Sequence, residues 1–294
     1  MIKKLGYFRN KELILLRKVS KHDQDIFDCL KNQTNIFDGI QLLFLMSINN
    51  STDIYNYYQY LNKQKLNTYE KLKDVSLNFN RLLINYLSSA KMFIDHTEAL
   101  LKNVYGEDGE NFLIWKEATH KEYEERFEYR FLYQFRNFTQ HIGKQTLHIN
   151  FKQSVGQPDE LRIDFQKNIL LNANFDWKPV VLEDLKRKPE RLPVMPVLKT
   201  FTGCMFRLYQ AALVSIHEDF FSKCTPYFEL LNKAKIMGLP IVTNLNNDDE
   251  LEKNKDKLNL NITNLPYDDL VKRLKEFEKY KVAKININFL NPSK

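Results

Sequence analysis

Glycine and proline are scarce in this chain, with 8 and 9 residues among 294. Sandwiches and barrels of many short strands need frequent turns, and turns are rich in these two residues. The scarcity therefore argues against such folds and favours long helices with few interruptions. Because 43% of the residues are hydrophobic and 28% are charged, the composition is that of an ordinary globular protein rather than a disordered one.

Cysteines are few, and long apolar runs are absent. Cys29, Cys204 and Cys224 form neither a CxxC motif nor an even-numbered framework, so we predict buried thiols in a reducing compartment. No run approaches the roughly 18 apolar residues of a membrane span. The first residues also lack the apolar core of a signal peptide. We therefore expect a soluble, cytoplasmic protein without a membrane partner.

Several catalytic motifs are missing as well. The chain contains no HExxH motif, no paired CxxC, no phosphate-binding glycine loop and no nucleophile elbow. This disfavours a metalloenzyme, a nucleotide-loop ATPase and a serine hydrolase, and we expect neither a metal nor a cofactor. Four histidines show no metal-ligand spacing, namely His22, His120, His148 and His217.

The formal net charge of +7 permits attraction to nucleic acid, although a solvated lysine-rich surface is the commoner explanation of such a charge. A basic stretch at 186–191 and the lysines of 253–284 could lead RNA phosphates to a cleft. They could also be exposed loop charges. The sequence leaves both interpretations open.

Apolar residues at spacings of three and four predict most of the helices. Residues 11–66 carry several short helical patterns, with Ser51 or Thr52 as a cap, and a long helix runs over 69–105. A second long helix is predicted over 110–142, with Gly143 at its C-cap position. Further helices are expected at 180–188 and from Pro193 and Pro196 to about Lys235. The stripe of the second long helix is almost entirely aromatic: Tyr123, Phe127, Phe131, Phe135, Phe138 and Ile142.

After Gly143 the hydrophobic period changes to two, which predicts a β-hairpin at about 146–166. The expected fold is mainly α, an antiparallel helical bundle over 1–235 with this hairpin inserted. Residues 236–294 are expected to form a separate small α/β appendage. Its predicted elements are a strand at Leu239–Thr243, a polar loop, a helix at Tyr267–Tyr280 and a strand at Val282–Phe289.

The candidate chemistry lies in the run Arg136-Asn137-Phe138-Thr139-Gln140-His141. In a helix, five residues correspond to a rise of about 7.5 Å and a rotation of about 140°. One protomer therefore cannot easily aim both Arg136 and His141 at a single atom. Two copies meeting on a two-fold axis could do so, because each contributes one arginine and one histidine.

Such a set suits RNA cleavage without a metal. Histidine, with an ordinary pKa of about 6.5, can take the proton of the attacking 2′-hydroxyl or protonate the leaving 5′-oxygen. A guanidinium can hold the phosphate oxygens, and Asn137 can add a hydrogen bond. The alternative is structural: Arg136 pairs with glutamates, and His141 merely lies near a helix C-terminus. A second bare match, Arg17-x4-His22, is interpreted as accidental.

The run resembles the RNxxxH form of the R-x4-6-H motif of the HEPN superfamily. The preceding helix, with Asn85-Tyr86-Leu87 and Asp95-His96-Thr97, is also similar to bacterial members. The resemblance covers roughly 50–145, with a helical continuation toward 235. In the branch paired with a nucleotidyltransferase, a tyrosine follows the histidine by two positions, and here Gly143 occupies that position. Regulation by modification of that tyrosine is therefore not expected.

The resemblance implies a helical homodimer that cleaves RNA without a metal, with Arg136, Asn137 and His141 as catalytic residues and Asp95 and His96 in support. Many members are toxins or act in antiviral defence, which implies an antitoxin or a defence protein as a further partner. Two alternatives stay open. One is a catalytically silent HEPN module that binds RNA or a partner protein. The other is a helical interaction protein with no role in nucleic-acid binding.

Overall fold

The computed structural model describes residues 2–63, 69–142, 147–152, 160–245 and 261–285. These residues are mainly helical, as predicted. None of the helices among them is long and apolar enough to cross a membrane. The helices are α1 (Lys21–Leu61), α2 (Tyr69–Tyr105), α3 (Glu110–Glu125), α4 (Phe127–Ile142), α5 (Lys167–Leu171), α6 (Pro179–Arg187), α7 (Val194–Lys233) and α8 (Asp268–Lys279). The strands are β1 (Ile2–Arg9), β2 (Glu12–Lys18), β3 (Leu147–Lys152), β4 (Glu160–Gln166), β5 (Arg191–Pro193), β6 (Leu239–Leu245) and β7 (Asn261–Asn264).

The chain divides into two compact units. The terminal unit comprises residues 1–38 and 216–294, and the central unit comprises residues 39–215. The unit boundaries therefore fall inside α1 and α7, whereas the sequence places a domain boundary at 235. Residues 1–38 and 216–235, assigned from the sequence to the helical domain, lie in the same compact unit as the C-terminal segment.

The terminal unit contains an antiparallel sheet in the order β2-β1-β6-β7. The β1–β2 hairpin was not predicted from the sequence. It turns at Asn10 and Lys11, which both have positive φ, as a two-residue hairpin turn requires. The predicted strand at 239–243 is confirmed as β6, which pairs with β1, and β7 is an unpredicted addition. Of the strand predicted at 282–289, residues 282–285 are not β structure, and the remainder lies outside the described residues.

The helices of the terminal unit meet in an aromatic cluster. Phe37 of α1, Phe220 of α7 and Phe277 of α8 have ring centroids 5.2–5.5 Å apart. Nε and Nη2 of Arg273 on α8 each donate to the Asp38 carboxylate at 2.7 Å. Burial of the α8 stripe explains why the helix predicted at 267–280 forms, and that prediction is confirmed.

The short helical patterns predicted within 11–66 are wrong, because β2 covers Glu12–Lys18 and one 41-residue helix covers Lys21–Leu61. Two of the polar residues that suggested a break have hydrogen-bond partners on other helices. The Asn50 side chain donates to Ser89 Oγ at 3.0 Å, and Ser51 Oγ lies 2.9 Å from Thr202 Oγ1. Ser51 is therefore a buried contact residue rather than a helix cap. Thr52 likewise lies within the helix, where its hydroxyl donates to the Ile48 carbonyl at 2.9 Å.

The long helix α2 is confirmed with the predicted bounds. It ends at Tyr105 because Gly106 adopts a φ of +80°, a conformation that disfavours residues with a Cβ. The Gly106 N–H still donates to the Lys102 carbonyl at 2.8 Å. Helices α1 and α2 run antiparallel, since Phe44 meets Phe93 while the later Asn50 meets the earlier Ser89.

The prediction of one continuous helix over 110–142 is wrong in one respect, because the helix is divided at Arg126. This residue is extended, with φ −120° and ψ 108°, and separates α3 from α4. Arg130 makes the break stable, because its Nη1 donates to the Tyr123 and Glu124 carbonyls at 2.9 and 3.0 Å. These carbonyls belong to the last turn of α3 and would otherwise lack partners. A hydrophobic period alone does not reveal such a break.

The aromatic stripe of α4 packs against the second sheet, which has the order β3-β4-β5. Phe131 and Phe135 place their rings 5.2 and 5.0 Å from Phe165 of β4. Phe138 stacks on Trp177 at 5.3 Å. Because β3 and β4 pair antiparallel, the predicted hairpin is confirmed. The predicted C-cap, Gly143, lies outside the described residues.

Candidate functional site

The last two turns of α4 carry the three predicted catalytic residues. Phe135 and Phe138 are 1% and 0% exposed, so the aromatic stripe fixes how this helix is rotated. Consecutive helical residues are about 100° apart, and Arg136 and Asn137 therefore cannot share that buried direction. Both are half-buried. The hydrophobic core thus fixes the helix that presents these polar groups.

Arg136 has no carboxylate partner among the described residues. Its Nη1 donates to Asn137 Oδ1 at 3.4 Å, and its buried Nε lacks a hydrogen-bond partner there. Two arginines of the same unit behave differently. Arg130 contacts Asp184 through two nitrogens at 2.7 and 2.6 Å, and Arg207 contacts Glu122 through two at 2.5 and 2.8 Å.

The structural alternative, in which Arg136 pairs with glutamates, therefore has no support within the described residues. A buried N–H without an acceptor costs roughly 1–3 kcal/mol. An anion that approached the guanidinium could recover this energy. The arrangement leaves Arg136 able to bind a phosphate without first breaking an ion pair.

His141 is exposed in the last turn of α4. No hydrogen bond joins it to Arg136 or Asn137 among the described residues. Arg136 and His141 both lie in α4, where a separation of five residues corresponds to a rise of about 7.5 Å and a rotation of about 140°. Within one chain the structure places these groups on one helix but does not bring them to a common point.

Of the two predicted supporting residues, Asp95 makes contact with α4. Its Oδ1 accepts a hydrogen bond from the Tyr133 hydroxyl at 3.1 Å, and its Oδ2 lies 2.8 Å from Lys91 Nζ. Lys91 Nζ also donates to the Tyr133 hydroxyl at 2.8 Å and lies 4.2 Å from the ring centroid. His96 is exposed and makes no hydrogen bond within the described part of the chain.

This Lys91–Asp95–Tyr133 network adjoins the motif. Tyr133 precedes Arg136 by three residues and Asn137 by four, and such residues are neighbours on a helix surface. Burial raises the pKa of the Tyr133 phenol. Burial lowers the pKa of Lys91, but hydrogen bonds to Asp95 and Tyr133 outweigh it and raise the pKa above its ordinary value. The phenol therefore stays protonated and the amine stays charged near neutral pH.

Sequence reasoning missed Lys91 and Tyr133. Two signals were present, because Lys91 and Asp95 are four residues apart on α2, and Tyr133 and Asn137 are four apart on α4. Such spacing places side chains on one helix face. What the spacing does not show is that the two faces meet, which depends on how the helices pack.

The cysteines and the possible metal ligands offer less support for a reactive site. Cys204 and Cys224 are buried, which raises the pKa of both thiols, to about 12 for Cys224. Cys29 is exposed, so its predicted burial is wrong; it lies on the outer side of α1 next to the exposed Asp28. In the described ranges, no three His, Cys, Asp or Glu side chains are grouped closely enough to hold a metal ion.

The basic stretch at 186–191 is engaged in local contacts. Lys186 Nζ lies 2.7 Å from Glu183 Oε1 in an exposed ion pair. Lys188 Nζ lies 4.2 Å from the ring centroid of Phe127. These contacts agree with the interpretation as ordinary surface charge, although neither prevents an encounter with RNA. Three of the eight lysines of 253–284 lie outside the described residues, and among the others Lys272 and Lys279 lie 3.1 Å from carboxylates of Asp269 and Glu276.

Comparison with known proteins adds no relative. No protein-family model, no curated protein and no solved structure matches the chain. The resemblance to the HEPN superfamily therefore rests on the RNxxxH run and on the helices around it. What the structure contributes is the environment of each motif residue.

Proposed function

We propose that this chain is a metal-independent endoribonuclease of the HEPN type that acts as a homodimer. The observation that carries the proposal is the state of Arg136. Its guanidinium has no carboxylate partner among the described residues, and it lies beside Asn137 on a helix fixed by a buried aromatic stripe. The exposed His141 follows five residues later. The carboxylate pairs of Arg130 and Arg207 show what a purely structural arginine looks like in the same unit.

In the proposed reaction, the 2′-hydroxyl of a ribose attacks the adjacent phosphorus while the bond to the 5′-oxygen breaks. His141 accepts the proton of the attacking hydroxyl, and a protonated histidine donates one to the departing oxygen. Arg136 holds the phosphate oxygens as negative charge accumulates on them, and Asn137 adds a hydrogen bond. The products carry a 2′,3′-cyclic phosphate and a 5′-hydroxyl.

The homodimer follows from the rotation of about 140° between Arg136 and His141. If two α4 helices meet near a two-fold axis, an arginine from one chain and a histidine from the other can face one phosphate. The Lys91–Asp95–Tyr133 network would then hold α4 against α2 while RNA binds. By the same resemblance, the enzyme belongs to a toxin or phage-defence system, with an antitoxin or defence protein as partner.

The decisive experiment incubates the purified protein with RNA in EDTA and identifies the product ends. Arg136→Ala and His141→Ala should each abolish cleavage while the protein still folds and dimerises. Matched controls are Arg81→Ala and His120→Ala, which remove exposed residues of the same types from helices of the same unit. Both controls should cleave like the unmodified protein.

Three outcomes would contradict the proposal. Loss of activity in EDTA with recovery in magnesium would point to a metal-dependent reaction. RNA binding without any cleavage would favour the catalytically silent module. Full activity after dilution below the dimer dissociation constant would exclude a shared site, because a monomer would then suffice.

A further inference from the structure

A second candidate site lies entirely within the terminal unit. A cavity of about 340 Å³ opens between one face of its sheet and the first turns of α1, with Tyr227 of α7 among the lining residues. The strands account for its position. Ile241 and Thr243 of β6 are fully buried, so Val242 and Asn244 project from the opposite face of the sheet. That face lines the cavity.

The rim of the cavity carries two ammonium groups and one carboxylate. Lys3 of β1 lies opposite Asn244 in the strand register, and its Nζ donates to Gln24 Oε1 at 2.9 Å. Gln24 in turn donates to Asp28 at 3.0 Å. Lys31, one turn further along α1, is exposed and also lines the cavity. The rim therefore has an excess of positive charge and an ordered polar edge.

The walls combine amide, hydroxyl and aromatic groups. Asn244, Thr263 and Asn264 line the strand side, and their side chains make no hydrogen bond among the described residues. Phe27 lines the helix side, with its ring 6.3 Å from that of Tyr227 in an edge-on arrangement. Tyr227 is fully buried, and its hydroxyl has no partner within the described ranges.

We propose that this cavity binds a nucleotide. An aromatic and apolar wall suits a base, unpaired amide groups suit the polar edge of that base, and two lysines suit its phosphate. The volume of about 340 Å³ lies at the lower end of the roughly 300–1,000 Å³ of small-molecule sites. The nucleotide could be free, or it could be an unpaired nucleotide of an RNA strand. This inference does not depend on RNA cleavage.

The test uses the full chain carrying His141→Ala, so that no RNA is cut even if the proposed function holds. Calorimetry measures binding of adenosine, guanosine, cytidine and uridine monophosphates, and separately of a short single-stranded RNA. Lys31→Gln should weaken binding of the preferred monophosphate about tenfold or more, because a charge-assisted hydrogen bond is lost. Asn244→Ala should change which base is preferred. Lys21→Gln, which removes another exposed lysine of α1, is the control and should change neither property.

The site would be refuted if none of the four monophosphates binds saturably at millimolar concentration. Equal weakening by Lys31→Gln and Lys21→Gln would also refute it, because general charge attraction would then explain the binding. If RNA loses affinity in parallel with the preferred monophosphate, the natural ligand is an RNA nucleotide. If the variants weaken the binding of the monophosphate only, the natural ligand is a free nucleotide. Failure of cleavage by the chain with an intact His141, together with intact nucleotide binding, would reject the proposed function but not this site.

Discussion

The N-terminus of α1 is held by a carboxylate that accepts three hydrogen bonds. Asp23 is 5% exposed and accepts hydrogen bonds from Arg17, at 3.0 Å for the Nη2–Oδ1 pair, and from the Ser20 backbone N–H at 2.8 Å. Ser20 Oγ accepts the Asp23 N–H at 3.1 Å, which completes a reciprocal capping arrangement. We predict that Asp23→Asn destabilises the terminal unit substantially at neutral pH.

The size of the effect follows from the acidity of the carboxyl. The hydrogen bond from Arg17, together with those from Ser20, lowers the pKa of Asp23 from 3.8 to about 2. A difference of about 1.8 units corresponds to about 2.4 kcal/mol, at 1.36 kcal/mol per unit. Because Arg17 is 45% exposed and water screens its charge, this value is an upper bound. The folded pKa is the lower one, so the stabilisation is complete above pH 4 and disappears as the pH falls through about 2.

The assay is urea denaturation followed by circular dichroism at several pH values. The difference in unfolding free energy between the original protein and Asp23→Asn should be about 1–2.4 kcal/mol at pH 7. It should shrink steadily below pH 4. Asp25→Asn, an exposed carboxylate in the same helical turn, is the control and should have little effect. A difference that stays constant down to pH 2 would show that packing of the side chain, rather than its charge, explains the loss.

Three further changes should alter stability in the central unit, each measured by the same denaturation. Glu122→Gln should cost about 1–3 kcal/mol, because it leaves Arg207 opposite a neutral amide, and an unchanged midpoint would contradict the ion pair between the buried Glu122 and the exposed Arg207. Tyr133→Phe should cost about 1 kcal/mol by removing the hydroxyl bound to Lys91, and a gain in stability would show that the network is strained. Gly106→Ala should cost about 1 kcal/mol because of its positive φ alone, since an added Cβ meets nothing within 4 Å. An unchanged unfolding free energy for Gly106→Ala would show that the backbone at the end of α2 adjusts to the alanine.

Long helices and strands with a regular hydrophobic period could be predicted from the sequence, because the apolar residues that repeat in them are the ones that are buried. The bounds of α2 agree with an apolar stripe that ends at a glycine. The buried face of α4 agrees with a row of phenylalanines in the sequence. The hairpin of β3 and β4 agrees with a strict alternation of two. In each case the residues that identify the element are also those that bury it.

The errors occurred where side-chain contacts that a hydrophobic period does not reveal satisfy polar groups. Asn50 and Ser51 suggest a helix end, but partners on α2 and α7 allow the helix to continue. Arg126 has no breaking propensity, yet the chain bends there because Arg130 satisfies the free carbonyls. The same limit applies to the candidate site: Asp95 was singled out together with the adjacent His96, whereas Lys91 and Tyr133 emerge only once α2 and α4 pack together.

The pairing of β1 with β6 has a consequence for the order of events during synthesis. Leu5 lies opposite Val242 in the sheet, so β1 must wait for a strand made more than two hundred residues later. Until then, one edge of the N-terminal hairpin has unpaired N–H and C=O groups, which can pair with other chains. A nascent chain interrupted before residue 239 should therefore aggregate or attract chaperones, even if its central unit has already folded. Contacts this distant in sequence also slow folding, so the terminal unit is expected to form last.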